Sequence, residues 1–326
     1  MKAIITRRYG SPERLRLEDV KKPIPKDNEV LIRVHAASLN AADFEIQRGA
    51  LTARFTGPLR PKHRIPGSDV AGVIEDTGTN ATKFQPGDSV MGDLFTSGFG
   101  AFAEYVCAPE NVLTMKPSKM TFEEAATYPQ AAIIALQALR GKRQIMAGEK
   151  VLINGAGGGM GTFAVQIAKH YGAEVTGVDS ARKLDLLQSI GCDHVIDYTK
   201  EEYTKSNQCY DVILDTVARH SISEYERVLY PGGLFVMVGG SRKAIFQAIF
   251  LGPRISGKVN KHLGLNLWGD AYNQEDMDFL EGLYDSGEVV PVIDRCCPLA
   301  KLPAALKYLE DGLALGKVAI SMEDNI

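Results

Sequence analysis

The chain has 326 residues, more than a single hydrophobic core usually supports, so two domains are expected. At 45% hydrophobic and 24% charged residues it has a globular composition, which argues against a disordered, collagenous or coiled-coil polypeptide. Forty acidic against thirty-seven basic residues leave a net charge of −3, so there is no bulk positive field to gather nucleic acid.

Through about residue 120 the chain reads as short strands between turns. Glu29–Val34 alternates at period two, and Val70–Ile74 is an apolar run after Pro66-Gly67. Gly10-Ser11-Pro12, Pro23-Ile24-Pro25 and Pro86-Gly87-Asp88 punctuate a β domain rather than a linker. From Thr121 the rhythm changes. Thr121-Phe122-Glu123-Glu124 has the form of a helix capping box, and an apolar helix is expected across Ala131–Arg140. Strands are then predicted at Lys150–Asn154, Glu174–Val178, His194–Asp197, Asp211–Asp215 and Leu234–Val238, with helical apolar spacing in the first gaps. Such alternation implies right-handed crossovers and a doubly wound parallel sheet, an α/β fold. A further strand is predicted at Val259–Trp268, a helix at Gln274–Ser286, a helix near Pro303–Gly312 and a strand at Lys317–Ser321. This C-terminal part is expected to rejoin the first domain.

The five cysteines, Cys107, Cys192, Cys209, Cys296 and Cys297, form no CxxC pair, so neither a disulfide framework nor a thiolate zinc knuckle is suggested. The opening Met1–Arg8 lacks the apolar stretch of a signal peptide. The uncharged run between Lys150 and Lys169 holds five glycines with Asn154, Thr162 and Gln166, a poor lipid-facing helix. A cytoplasmic protein without membrane insertion is expected.

The strongest local signal is Val151-Leu152-Ile153-Asn154-Gly155-Ala156-Gly157-Gly158-Gly159-Met160-Gly161. An apolar strand runs into glycines and then into a helical pattern. A dinucleotide pyrophosphate needs backbone N–H groups brought close, which glycine permits, and the positive helix end faces the phosphate charge. No Lys-Ser/Thr pair follows, which disfavours an ATP- or GTP-type cradle. The next strand ends at Asp179, where an acidic side chain would bond the adenine-ribose hydroxyls and favour NAD. Arg182 and Lys183, just beyond, offer positive charge to a 2′-phosphate and favour NADP. Both readings stay open on these residues alone.

The chain resembles the medium-chain dehydrogenase/reductase superfamily, specifically its zinc-independent quinone oxidoreductase (zeta-crystallin-like) branch. The resemblance is carried by Ser38-Leu39-Asn40-Ala41-Ala42-Asp43, Ile65–Val73, Phe84–Val90, Gly100–Tyr105, Ala156–Gly161 and Gly316-Lys317-Val318, in this order along the chain. It implies a GroES-like β-rich catalytic domain over residues 1–121 and 269–326 and a Rossmann dinucleotide-binding domain over 122–268, with the cofactor in the cleft between them. It further implies that Ala156, Gly158, Gly159, Met160 and Gly161 line the pyrophosphate, and that Ser180, Lys183 and Tyr198, beside Asp179 and Arg182, meet the 2′-phosphate. Thr216, Val217, Val238, Gly239 and Gly240 follow the fourth and fifth strands, where a nicotinamide would lie, and Lys317 matches a basic residue near the phosphates. NADP(H) is expected ahead of NAD(H).

The positions that hold catalytic zinc in the superfamily's alcohol dehydrogenases resemble Asn40, Ser68 and Gln130 here, none a good zinc ligand, so no metal is expected. Without a Lewis acid the acceptor must take hydride readily, as quinones and α,β-unsaturated carbonyls do. Asn40 is the first candidate to stabilise its oxygen, and Asp43 to orient a ribose or the Asn40 loop. A turn residue bonding its own backbone is the alternative for Asn40. The apolar Ala244–Pro253 segment is a candidate lid, and Val259–Trp268 a candidate homodimer edge. The expected function is NAD(P)H-dependent reduction of a small hydrophobic quinone, enal or enone. The alternatives are an NAD(P)-dependent alcohol dehydrogenase, or a nucleotide-binding sensor or structural protein without turnover.

Overall fold

Two short strands, β1 (Lys2–Ile5) and β2 (Arg16–Asp19), pair antiparallel before the chain enters the long β3 (Glu29–Leu39), which contains the period-two segment Glu29–Val34. The architecture is that of a computed structural model, which describes residues 1–141, 143–252, 256, 261–265 and 273–323. Helices α1 (Ala41–Arg48) and α2 (Leu51–Thr56) follow β3, then β4 (Asp69–Thr77), β5 (Ser89–Asp93), β6 (Tyr105–Pro109) and β7 (Leu113–Met115). Helix α3 (Phe122–Thr127) starts at the expected capping box, with Thr121 Oγ1 accepting from Glu124 N. After α4 (Pro129–Arg140) come β8 (Lys150–Asn154), α5 (Gly159–His170), β9 (Glu174–Asp179), α6 (Leu184–Ser189), β10 (His194–Asp197), β11 (Tyr210–Asp215), α7 (Ile222–Arg227), β12 (Leu229–Met237), α8 (Arg242–Phe250) and β13 (His262–Leu265). The chain ends through α9 (Gln274–Asp285), β14 (Ile293–Pro298), α10 (Leu302–Glu310) and β15 (Lys317–Ser321).

The described residues fall into two units, Met1–Ile133 with Ala271–Gly282 and Pro291–Ile326, and Ile134–Asp270 with Leu283–Val290. Leu283–Val290 thus sits with the second unit rather than the first. The reason is local: Gln166 on α5 donates to Val290 O at 2.9 Å and accepts from Val290 N at 3.0 Å.

In the first unit the sheet order is β14-β15-β3-β4-β5-β7, with β6 also paired to β3. Val30, Ile32, Val34, Val70, Ile74, Val90, Val318 and Ile320 form its core, removing from water the branched side chains that favour strands. Strand register decides which polar residues become neighbours. Asp69 stands opposite Ser38 on one side and Asp93 on the other, and Val318 stands opposite Leu39. One end of the sheet therefore gathers polar side chains from four strands.

In the second unit all pairings are parallel, in the order β10-β9-β8-β11-β12-β13. The order reverses between β8 and β11, the topological switch point of a Rossmann sheet. Its core includes Leu152, Val178, Ile213 and Phe235.

The helices α1 and α2 interrupt what reads in sequence as a purely β region, and β12 begins before the expected Leu234, through Pro231-Gly232-Gly233. Of the Val259–Trp268 strand, His262–Leu265 is β13; residues 259–260 and 266–268 lie outside the described residues. The candidate lid is mostly α8, which leaves Phe246 and Phe250 exposed with rings 4.5 Å apart, while Pro253 lies outside the described residues. Among the described residues no helix is long and apolar enough to cross a membrane.

Candidate functional site

Asn40 is the N-cap of α1, and its backbone N–H donates to the Asp43 carboxylate at 2.8 Å, one arm of a capping box. Its side chain turns away from its own helix. Asn40 Nδ2 donates to Asp69 Oδ2 at 2.8 Å and, loosely, to Ser68 Oγ at 3.5 Å; Asn40 Oδ1 accepts from Lys317 Nζ at 2.7 Å. Lys317 Nζ also meets Leu39 O at 3.2 Å and Asp69 Oδ2 at 3.3 Å, so all three of its N–H groups have an acceptor. Asp69 is fully buried and accepts in addition from Ser38 Oγ at 2.7 Å and from Gln130 N at 3.1 Å, near the start of α4 where helix N–H groups lack partners.

Gln130 Nε2 links Ser68 Oγ, at 3.2 Å, to both carboxylate oxygens of Asp93, at 3.3 Å each. Burial pushes the Asp93 carboxyl up to about 7, with Asp69 adding to the rise. Burial likewise pushes Asp43 up to about 7, opposed by the Asn40 N–H and by Lys317. The cluster is thus a mesh of amides, carboxyls and one ammonium in the first unit.

Catalytic zinc does not fit this mesh. Two carboxamides and a hydroxyl are poor donors to that ion, and Asn40 Oδ1 already faces an ammonium, where a divalent cation would meet like charge. The amide nitrogens of Asn40 and Gln130 act as donors and offer a metal no lone pair.

In the second unit the glycine turn closes tightly. Gly155, with φ +81°, and Ala156 both donate to Val178 O, at 2.9 and 3.2 Å, and a Cβ at Gly161 would collide with the Gly155 carbonyl oxygen. The turn is tied to β9 by Asp179. Its Oδ2 accepts from Gly157 N at 2.9 Å, its Oδ1 accepts from Ser180 N at 2.8 Å, and Lys183 Nζ lies 3.5 Å from Oδ1. Tyr198, 56% exposed, donates its backbone N–H to Asp179 O at 3.2 Å, and Arg182 is exposed. The structure therefore brings Asp179, Ser180, Lys183 and Tyr198 beside the turn. The first N–H groups of α5, at Gly159, Met160 and Gly161, have no helical carbonyl above them and are suited to an anion.

Thr216 and Val217 follow β11, and Val238, Gly239 and Gly240 follow β12, all at carboxyl ends of parallel strands beside the switch point. Ala218 N donates to Gly239 O at 3.0 Å, and a Cβ at Gly239 would collide with Thr216 O. This corner hangs on Asp215, a residue that sequence reading passed over. Fully buried, its carboxylate accepts from Asn154 Nδ2 at 3.0 Å, Val217 N at 2.9 Å, Tyr203 OH at 3.2 Å and Tyr225 OH at 2.7 Å. Burial raises its pKa against those donors. Asp69 was likewise missed, although an aspartate set directly against the apolar run Val70–Ile74 is a legible signal, since buried carboxylates need partners.

Lys317, expected near the phosphates, is held by partners of its own unit. It belongs to the first unit, is 1% exposed, and has its ammonium committed to Asn40, Leu39 and Asp69, leaving no N–H for a phosphate.

Residues 26–118 match the family model of the alcohol dehydrogenase GroES-like domain, and residues 190–320 that of the zinc-binding dehydrogenase. A 2-methylene-furan-3-one reductase of Solanum lycopersicum is 34% identical over 331 residues, covering 98% of this chain and 79% of the relative. An Arabidopsis thaliana NADPH-dependent alkenal/one oxidoreductase is 32% identical, with the same coverage. The solved quinone oxidoreductase of Coxiella burnetii superposes with a TM-score of 0.88 at 28% identity, over 99% of each chain.

Proposed function

The chain belongs to the medium-chain dehydrogenase/reductase superfamily, in its quinone oxidoreductase branch, and is an oxidoreductase; from that premise we propose that it reduces a small quinone, enal or enone with NADPH and without zinc. The observation that carries this reading is Asn40. At a position that resembles a zinc-ligand position of the superfamily's alcohol dehydrogenases, it presents a carboxamide fixed from both sides, with one N–H bonded to Asp69 and the other only loosely held by Ser68.

NADPH fits the second unit. The N–H groups at Gly159–Gly161 suit its pyrophosphate, Ser180, Arg182, Lys183 and Tyr198 its 2′-phosphate, and Thr216, Val217 and Val238–Gly240 the nicotinamide end. Asp179 gives NADH little advantage, for a reason not visible in sequence: its oxygens already serve Gly157, Ser180 and Lys183, so it has little to offer a ribose diol. When bound, the nicotinamide supplies a hydride. The loosely held Asn40 N–H would stabilise the negative charge that develops on the oxygen of a conjugated acceptor as it is reduced. The proton that completes the two-electron reduction comes from water, and NADP⁺ is the oxidised product.

The test uses purified protein with a chelator, NADPH or NADH, and a panel of quinones, enals and enones. NADPH oxidation by at least one acceptor, unchanged by the chelator, is expected. No oxidation of either dinucleotide above background, with any acceptor, would overturn the proposal.

A further inference from the structure

We propose that Lys317 is a positioning residue, whose buried ammonium orients and polarises the Asn40 carboxamide; this rests on the reading of Asn40 above and deepens it.

A carboxamide can sit either way round, and its orientation is set by its neighbours. Here the neighbours carry full charges of opposite sign. Lys317 faces the carbonyl oxygen at 2.7 Å and Asp69 faces the nitrogen at 2.8 Å. Flipping the amide would set N–H against ammonium and C=O against carboxylate, so the pair permits one orientation. In that orientation the second Nδ2 hydrogen has, among the described residues, only Ser68 Oγ, at 3.5 Å, and is the donor left for a ligand. An ammonium on the oxygen also draws electron density through the amide and strengthens its N–H groups as donors, the cooperative effect of chained hydrogen bonds.

The fold holds the lysine firmly. Lys317 opens β15 directly after Gly316, which has φ +90° and lies so close to Val292 O that a Cβ there would collide with it, and Lys317 N donates to Val292 O at 2.8 Å. The Val318–Leu39 register then brings the ammonium beside Asn40. Burying an ion pair is weak evidence for stability. A pair with every lysine donor committed, two of them on Asn40 and its charged partner, points instead to keeping one side-chain arrangement.

The test is a double-mutant cycle on kcat and on the KM values for acceptor and NADPH, using N40A, K317M, K317R and the two lysine variants combined with N40A. We expect K317M to lower kcat about ten- to a hundredfold, the effect of a displaced polar group, while the KM for NADPH stays within about threefold. K317R, which keeps a cation and N–H donors, should recover part of that loss. On the N40A background neither lysine change should lower kcat further. Wild-type kcat in K317M, equal losses in both backgrounds, or a loss confined to the NADPH KM would each overturn the proposal, the last by returning Lys317 to a phosphate role. Should K317M fail to fold, K317R with and without N40A is read by the same criteria. A wild-type kcat in N40A instead sinks the reading of Asn40 itself, an outcome distinct from a slow N40A beside a fully active K317M.

Discussion

Asp43 shows how one buried carboxyl can tie the candidate site to solution conditions. It holds the Asn40 backbone, yet burial penalises its negative form and Asp69 adds repulsion, so its pKa rises to about 7. In the unfolded chain the value is about 3.9, so between the two the native state carries a proton that the unfolded state has lost. This group therefore makes stability fall as pH climbs from about 4 to 7. Asp93 acts in the same direction. Asp43→Asn keeps an oxygen for the Asn40 N–H and cannot ionise, so denaturant unfolding at pH 5 and pH 7 should show a shallower decline than wild type. Equal declines would remove Asp43 from the titration. At this scale the sequence was only partly legible. Asn40 and Asp43 stand out as a local pair three residues apart, but Lys317 meets Asn40 across 277 residues of chain, and only the β15–β3 pairing brings them together. A phosphate role, suggested by family resemblance, was the natural sequence reading of that lysine.

Among the elements, the glycine turn and the strands around it were legible because their chemistry is local. Continuous apolar runs such as Val151–Ile153 mark strands buried on both faces, and glycine followed by helical spacing marks the phosphate turn. Helix α1 was not legible, since Ala41–Arg48 offers only Phe44 and Ile46 as large apolar residues, too few for a recognisable stripe. Nor could spacing decide what Asp179 does, because a ribose acceptor and a clip on Gly157 use the same side chain. The structure shows the clip, and its charge carries a prediction. Asp179→Asn keeps one oxygen acceptor for the turn but removes the anion beside Lys183, freeing that ammonium for a 2′-phosphate. The NADPH-to-NADH affinity ratio, measured by fluorescence titration, should shift toward NADPH by about tenfold, the equivalent of 1.4 kcal/mol. An unchanged ratio would mean that Lys183 never meets the phosphate.

For the molecule as a whole, the two units have separate cores, and their candidate groups differ in kind: a self-satisfied polar mesh in the first, a turn with open N–H donors in the second. Ligand-linked stability should reflect that difference. A ligand that binds only the native state stabilises it by about 2.7 kcal/mol at a hundred times its dissociation constant. Spread over the unfolding entropy of a domain or of the whole chain, that is a rise in melting temperature of roughly 4 to 8 °C. A metal chelator should produce no shift, because no ion is proposed to hold Asn40, Ser68 and Gln130 together; their hydrogen bonds to Lys317, Asp69 and Asp93 already do. Calorimetric scans with NADPH, and separately with chelator, check both expectations at once. A melting temperature that falls on chelation would mean that a metal stabilises the native chain. A scan unmoved by saturating NADPH would mean that the glycine turn does not hold the dinucleotide, however well its sequence suits one.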